Sequence, residues 1–399
     1  MGSSKSEEQN QEQIKSSIED QLKGKKIDQY AVSPKKQYIA TFNREDKSLY
    51  VWTIKKDLTI EYENSLNIKS NSHLRSSSLA GISDCKHIIL TSGRYIYGSG
   101  YYGKYDFEIE IIDTITKSNQ KLRARGLTEY IAGHISSISF LENGDLAIVK
   151  GKPVYRVYIF AKSKSNGKHQ WTCKKSFELG KFYFCTIDQN RKLFVLNLTP
   201  SFAIMQWDLI TQKFDKQYML FPNSNLDHDY LVDLQMKLNS DNSLFAIAYE
   251  TYAKYEDRRV SFCNAYVYST KTGRMIANRK FDEGLHNFCF IGSKEKERLL
   301  FSGPNDEKKS YNFYILNPYI RTLDKSSEND VLQDIYAATF ENYKSIGSIN
   351  IILDYIIKND DNQLSIQKLS QNEIWKNYLE RTRKTSGKYS DLCVGCNIL

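Results

Sequence analysis

Residues 135–149 read ISSISFLENGDLAIV, two apolar strand-like runs joined by the polar turn Glu142-Asn-Gly-Asp145. Residues 31–41, AVSPKKQYIAT, repeat this plan, and residues 49–52, LYVW, add a third strand. The pattern of strand, polar turn, second strand, loop and third strand returns about every 50 residues along the chain, and a strand-built repeat of that size is typical of propeller blades.

The repeat predicts strand-rich units along most of the chain. A sheet of three or four strands has two apolar faces, which neighbouring sheets can cover when they are arranged in a ring. We therefore expect an all-β fold, a single β-propeller of about seven (six to seven) blades. The alternative is a pair of long β-sandwiches, which predicts no fixed period. The predicted units are residues 27–66, 74–122, 129–178, 179–221, 230–282, 283–325 and, least regular, 333–369.

The chain divides into three predicted regions. Residues 1–26 are almost wholly polar and predict a flexible N-terminal tail. Residues 27–369 form the propeller, and residues 370–399 an amphipathic helix with a cysteine-containing C-terminal tail. The helix is predicted because Ser370 and Glu373 have capping-box spacing, and because Trp375, Tyr378 and Leu379 share one helix face.

Several segments resemble parts of the WD40 repeat. The resemblance extends over residues 27–369 in a degenerate form, with one Trp-Asp pair and one Gly-His pair in different units. It implies a rigid propeller whose loop faces bind protein partners, without the family's His–Asp hydrogen-bond network in every blade. The resembling segments are Gly133-His134 with Asn143-Gly-Asp145, Trp207-Asp208-Leu-Ile-Thr211, Val32-Ser-Pro34 and Tyr266-Val-Tyr268.

Charge and cysteine usage limit the classes of function. The net charge of +9 is a mild excess, and no sequence motif would turn it into nucleic-acid recognition, so we expect no nucleic-acid partner. The seven cysteines are scattered and odd in number, which favours a reducing, cytoplasmic setting. No apolar stretch has the length of a transmembrane helix, and the N-terminus has no signal-peptide core.

The strongest apparent cofactor motif is a false one. Gly98, Gly100 and Gly103 followed by Lys104 resemble a phosphate-binding loop. Such a loop needs Ser or Thr after the Lys to hold Mg²⁺, and a helix behind it. Tyr105 follows instead, and the next residues alternate as a strand does. We therefore expect no cofactor and no small-molecule substrate.

No metal site or catalytic group is predicted. Two tight groups of metal-capable side chains occur, Cys85 with His87 and Asp227-His-Asp229, but neither has a second pair at ligand spacing. No nucleophile elbow or acid–base pair can be nominated. An active site assembled from separate blades would leave no local motif, so a propeller enzyme stays an alternative.

Both ends of the chain carry lipidation patterns. Gly2 followed by Ser6 fits N-myristoylation, although expression vectors often begin in the same way. Cys396-Asn-Ile-Leu399 is a prenylation box of the geranylgeranyl type, and Cys393 is a candidate for palmitoylation. Two such signals together are what stable membrane anchoring needs.

The function we expect is that of a non-enzymatic, WD40-like scaffold for protein–protein interaction, held at a cytoplasmic membrane face if the termini are lipidated. Long variable loops, Ser92–Lys104, Ala161–Lys168, Thr251–Arg259 and Asp306–Lys309, would bind the partners. The alternatives are a propeller module derived from a larger membrane protein and a hydrolase with its active site at the channel mouth.

Overall fold

A computed structural model describes the strands and most turns of the chain. Two compact units are present, residues 1–216 with 360–364 and residues 217–359 with 365–399. The described residues are 27–55, 60–67, 77–96, 104–127, 135–151, 155–165, 168–180, 182, 184–188, 191–197, 203–220, 231–255, 258–292, 297–305, 310–324, 329–341, 349–352, 355–360 and 363–368.

The first half of the chain forms four antiparallel sheets, each of four strands in chain order. Sheet 1 contains β1 (Gln29–Val32), β2 (Tyr38–Phe42), β3 (Ser48–Ile54) and β4 (Ile60–Asn67). Sheet 2 contains β5 (Ser77–Ile82), β6 (His87–Ile96), β7 (Lys104–Asp113) and β8 (Ser118–Lys121). Sheet 3 contains β9 (Ile135–Phe140), β10 (Leu146–Lys150), β11 (Tyr155–Ser165) and β12 (Lys168–Gly180). Sheet 4 contains β13 (Phe184–Ile187), β14 (Lys192–Asn197), β15 (Ala203–Asp208) and β16 (Lys213–Met219).

The second half continues the plan with two sheets of four strands and one of three. Sheets 5 and 6 are joined by a short parallel pairing of Asn278 with Val331. Sheet 5 contains β17 (Leu231–Leu238), β18 (Leu244–Tyr255), β19 (Arg258–Ser269) and β20 (Met275–Phe281). Sheet 6 contains β21 (Asn287–Ile291), β22 (Arg298–Asn305), β23 (Ser310–Asp324) and β24 (Asn329–Glu341). Sheet 7 contains β25 (Ile349–Ile352), β26 (Tyr355–Asp360) and β27 (Gln363–Lys368).

These sheets confirm the predicted all-β, propeller-type fold. Among the described residues there are seven successive sheets and no helix, and the first five follow the predicted units closely. The prediction of the last two units was wrong in detail. Residues 329–341 form the outer strand of sheet 6, so the seventh sheet begins at Ile349 rather than near residue 333.

The apolar cores lie between consecutive sheets. One cluster joins sheets 1 and 2, one joins sheets 2 and 3, one joins sheets 3 and 4, and one joins sheets 5 and 6. Strand β10 shows how a strand serves two cores. Leu146 and Ile148 face the core shared with sheet 2, whereas Ala147 and Val149 face the core shared with sheet 4. Successive side chains point to opposite faces, so a central sheet is apolar on both.

Side-chain hydrogen bonds join the first strand of one sheet to the first strand of the next. Within each unit these first strands also contact one another, β1 with β5, β5 with β9, β9 with β13, β17 with β21, and β21 with β25. Their partners are separated by 50 to 53 residues, which is the period read from the sequence. In each bond a side-chain oxygen accepts from a backbone N–H. Gln29 Oε1 accepts from Leu79 N (2.6 Å), Ser137 Oγ from Ile187 N (3.1 Å), and Gln235 Oε1 from Phe288 N (3.1 Å).

The first turn of five sheets has the same backbone geometry. A residue with positive φ donates its N–H to the carbonyl three residues earlier, as Gly144 does to Leu141 at 2.8 Å. Gly144 has φ +85°, and a Cβ placed on it would meet nothing within 4 Å. The only penalty for a side chain at this position is therefore the left-handed backbone itself. The equivalent residues are Lys36, Lys86, Arg191 and Asn242.

Replacing Gly144 with Ala should lower the free energy of unfolding by about 1 kcal/mol, because Ala adopts a positive φ poorly. Chemical denaturation measures the change. Glu142 is exposed in the same turn, and Glu142→Ala is the matched control, expected within about 0.5 kcal/mol of the parent protein. Equal losses in both variants would contradict the geometric explanation.

Three predicted features fall outside the described residues. They are the N-terminal tail of residues 1–26, the helix and tail of residues 370–399, and the lipidation candidates Gly2, Cys393 and Cys396. Within the part of the chain that the structure describes, no helix is long and apolar enough to cross a membrane.

Candidate interaction surface

Several of the predicted variable loops are largely strand. β6 continues to Ile96 and β7 begins at Lys104, while β11 and β12 pair up to Ser165 and Lys168. β18 and β19 pair in the same way up to Tyr255 and Arg258. The described parts of these segments therefore belong to long hairpins, whereas residues 97–103, 166–167, 256–257 and 306–309 lie outside the described part.

Most of the hairpin of β11 and β12 lies in a stretch without acidic residues. Residues 146–177 contain eight Lys or Arg and no Asp or Glu, and residues 114–128 contain four Lys or Arg and no Asp or Glu. The second stretch includes β8 and the connection that follows it. Both belong to the first unit, and the fold brings them together along the outer strands of sheets 2 and 3.

Gln120 of β8 holds the two outer strands together. Its Oε1 accepts a hydrogen bond from Trp171 N at 2.7 Å, and its Nε2 donates to Trp171 O at 2.8 Å. One side chain therefore satisfies both polar groups of a single residue of β12. The indole of Trp171 is buried against the rings of His87 and Phe140, with ring centres 5.5 and 5.9 Å away.

The connection after β8 is fixed to sheet 3 by apolar and polar contacts. Leu122 and Leu127 are buried in the core shared with sheet 3. Tyr158 Oη donates to Arg125 O at 3.3 Å, and Lys150 Nζ donates to the carbonyl of Leu127 at 2.9 Å. The backbone from Leu122 to Leu127 is thus held in place, while the side chains between, Arg123 and Arg125, are exposed.

A charged group links the hairpin to sheet 2. Lys162 Nζ lies 2.7 Å from His87 Nε2 and 3.4 Å from Asp113 Oδ2. Partial burial acts to raise the pKa of Asp113, but hydrogen bonds from the backbone of Thr116 and Ile115 and the charges of His87 and Lys162 lower it overall. The ammonium group of Lys162 is therefore engaged within the fold.

Four exposed cations of this region form neither an ion pair nor a hydrogen bond through their charged groups among the described residues, whereas Lys150 and Lys175 donate to backbone carbonyls. Lys121 pairs with Glu108 at 2.8 Å and Arg156 pairs with Glu178, so these are neutralised. Ile115 is 69% exposed and projects from the turn between β7 and β8, which also contains Lys117. We call Ile115 and the four cations the basic outer surface; its cations are Lys117, Arg123, Arg125 and Lys174.

Of the sequence motifs singled out for chemistry, residues 98–103 and Asp227-His-Asp229 lie outside the described residues. Within the described residues, no group of three or more His, Cys, Asp or Glu side chains is placed to hold a metal ion. Cys85 is exposed, whereas His87 is buried and contacts Lys162. Half-buried His286 lies with Nδ1 2.6 Å from Tyr311 Oη, and its partial burial lowers its pKa.

The WD40-like Trp207-Asp208 pair has a structural part in sheet 4. Asp208 accepts hydrogen bonds from Ile210 N and Thr211 N and pairs with Lys192 Nζ at 3.0 Å. Partial burial acts to raise the pKa of Asp208, but the bonds from Thr211 and Lys192 outweigh it and lower the pKa to about 2. The carboxylate therefore closes the turn between β15 and β16.

Comparisons with known proteins give limited information. No family model matches the chain, and no curated protein does. Similar solved structures include Kluyvelomyces marxianus Hsv2 (10% identity, TM-score 0.46, covering 86% of this chain and 97% of that one). A chain of a mitotic checkpoint complex is similar at 7% identity (TM-score 0.43, covering 86% and 89%). Kuenenia stuttgartiensis hydrazine synthase is similar at 11% identity (TM-score 0.48, covering 88% and 97%). These likenesses carry no argument about function, and the relation to WD40 repeats stays a resemblance.

Replacing Gln120 with Ala should lower the free energy of unfolding by about 1–3 kcal/mol, because it leaves both backbone groups of the buried Trp171 without partners. Asn119→Ala is the neighbouring control, since Asn119 is exposed and its bond to Glu110 is at the surface, and we expect a change within about 0.5 kcal/mol. Thermal and denaturant unfolding would measure both. A Gln120→Ala protein as stable as the control contradicts the assigned role.

Proposed function

We propose that the protein is a non-enzymatic, WD40-like β-propeller scaffold that binds an acidic segment of a protein partner through the basic outer surface. The observation that carries the proposal is the convergence of two acid-free basic stretches, which leaves four exposed cations whose charged groups have no partner among the described residues. Packed outer strands hold the backbone beneath them, so binding would order little of this chain.

An acidic protein segment fits this surface better than a nucleic acid does. Nucleic-acid binding draws on many phosphate contacts, whereas this surface offers four unpaired cations and the exposed Ile115. A surface that combines an exposed apolar side chain with Arg and Lys suits a segment that alternates carboxylates with apolar residues. Arg is also enriched at the centres of protein interfaces.

Charge reversal of Arg123 and Arg125 tests this proposal. The probe is a synthetic peptide of alternating Glu and Leu with a fluorescent label, and we expect the Arg123→Glu/Arg125→Glu protein to bind it at least tenfold more weakly at about 0.15 M salt. The matched control is Lys271→Glu/Arg274→Glu, the same charge change at exposed residues of the second unit, with unchanged binding expected.

Ile115→Ser separates peptide binding from general attraction to anions. We expect it to weaken peptide binding without changing retention on heparin, since Ile115 is exposed and has no charge. Equal losses in the two charge-reversal proteins would mean that only net charge matters, which overturns the proposed site. A heparin affinity above that for the peptide, lost in Arg123→Glu/Arg125→Glu, would favour a nucleic-acid partner.

The proposal also includes attachment of the scaffold to a cytoplasmic membrane face through Gly2, Cys393 and Cys396. The lipidation patterns at the two ends of the sequence are its only support. The intact mass of protein made in a eukaryotic cell should show added acyl and prenyl groups. Gly2→Ala should remove the first addition and Cys396→Ser the second. An intact mass without added groups contradicts the proposed membrane attachment and does not affect the proposal about the basic outer surface.

A further inference from the structure

A buried carboxylate lies in the connection between β20 and β21. Glu283 is 4% exposed, and its backbone is held on both sides. Gly284 N donates to Pro304 O at 2.8 Å, and Leu285 N donates to Glu250 Oε2 at 2.8 Å. A Cβ atom built on Gly303 would lie 1.6 Å from Gly284 O. The backbone of β22 therefore packs against this connection too closely for any side chain at position 303. The carboxylate therefore has a fixed position.

Of the two carboxylate oxygens of Glu283, one accepts hydrogen bonds and the other accepts none. Oε1 accepts from Asn312 Nδ2 at 2.5 Å and from Tyr314 Oη at 2.9 Å. Oε2 is inaccessible to solvent and has no hydrogen-bond partner. An isolated charged oxygen in the interior is strongly unfavourable, so something must offset its charge.

Two further oxygens on β23 share this condition. Asn312 Oδ1 and Ser310 Oγ are buried and have no hydrogen-bond partner, and their side chains are 6% and 3% exposed. Ser310, Asn312 and Tyr314 alternate along β23 and therefore lie on one face of it. Since Asn312 and Tyr314 both bond to Glu283, that face is turned towards the carboxylate.

Two other carboxylates act together with that of Glu283 on a common buried neighbour, the Cys263 thiol. Burial raises the pKa of the Cys263 thiol well above its ordinary value, and the carboxylates of Glu250, Asp233 and Glu283 raise it further. Three carboxylates thus act on one buried group in the second unit. The three unpartnered atoms are all oxygens, the ligands that hard cations prefer, and soft or imidazole ligands are not among them.

We propose that Glu283 Oε2, Asn312 Oδ1 and Ser310 Oγ bind a monovalent alkali cation, Na⁺ or K⁺. One carboxylate with two neutral oxygens balances a single positive charge, so the occupied site is neutral as a buried site must be. The cation joins the connection before β21 to β23 and so stabilises sheet 6. This site is independent of the basic outer surface, because all of its residues belong to the second unit.

Thermal unfolding of the full chain in different chloride salts tests the site. At equal ionic strength, unfolding in NaCl or KCl should occur several degrees higher than in N-methyl-D-glucamine chloride, because a ligand that binds only the folded state stabilises it. Glu283→Gln should fold and lose this difference, since its amide supplies a donor where the cation would lie. Glu142→Gln, a change at an exposed carboxylate, should keep the difference.

Asn312→Asp distinguishes a cation from a buried water. A second carboxylate should make the site respond to Ca²⁺ with a rise in unfolding temperature that the parent protein does not show. If a water molecule lies there instead, the two carboxylates repel and the protein is destabilised in every salt. Equal unfolding temperatures of the parent protein in all salts, or a cation response that survives Glu283→Gln, would overturn the proposal. If Glu283→Gln does not fold, Ser310→Ala takes its place with the same expectation.

Discussion

The structure depends on one constraint, that each small sheet has two apolar faces and can cover them only with its neighbours. Strand β10 places Leu146 and Ile148 in one core and Ala147 and Val149 in the next. Burying a Val, Leu or Ile side chain contributes about 1.5–3 kcal/mol, so a sheet without a neighbour would lose much of its stability. The hydrogen bonds accepted by Gln29, Ser137 and Gln235 orient consecutive sheets, because each bond fixes which strand of the next sheet lies beside the first strand.

Periodicity made most of the fold predictable. The first five units could be placed because apolar runs and polar turns recur at the spacing that side chains such as Gln29 bridge in the structure. The sixth unit was predicted to end at residue 325, so β24, its outer strand, was assigned to the seventh unit. β23 passes through Pro318 with a shift of register between Asn317 and Arg321 and continues to Asp324. Proline is tolerated where a strand is irregular, and that irregularity is set by tertiary packing rather than by local sequence.

The residue composition of the basic outer surface was predictable from the sequence, but which cations of this region form ion pairs was not. The acid-free stretches are visible in the sequence, yet which cations stay unpaired depends on carboxylates that come from elsewhere. Lys162 is engaged by Asp113, 49 residues away, and Lys121 by Glu108, 13 residues away. Glu283 gave no local signal for the same reason, because its partners Asn312 and Tyr314 lie on β23, 29 and 31 residues further along the chain. Ion pairs and buried networks of this kind are set by the register of the sheets.

The pairing of Asn278 with Val331 has a consequence for behaviour at high concentration. It joins the outer strands of sheets 5 and 6, whose free edges would otherwise present unpaired backbone groups side by side. Exposed strand edges are templates for pairing with other chains, and natural β proteins protect them. This short parallel contact therefore acts against aggregation. A chain in which β24 detached would expose two unpaired strand edges that can pair with other molecules in solution.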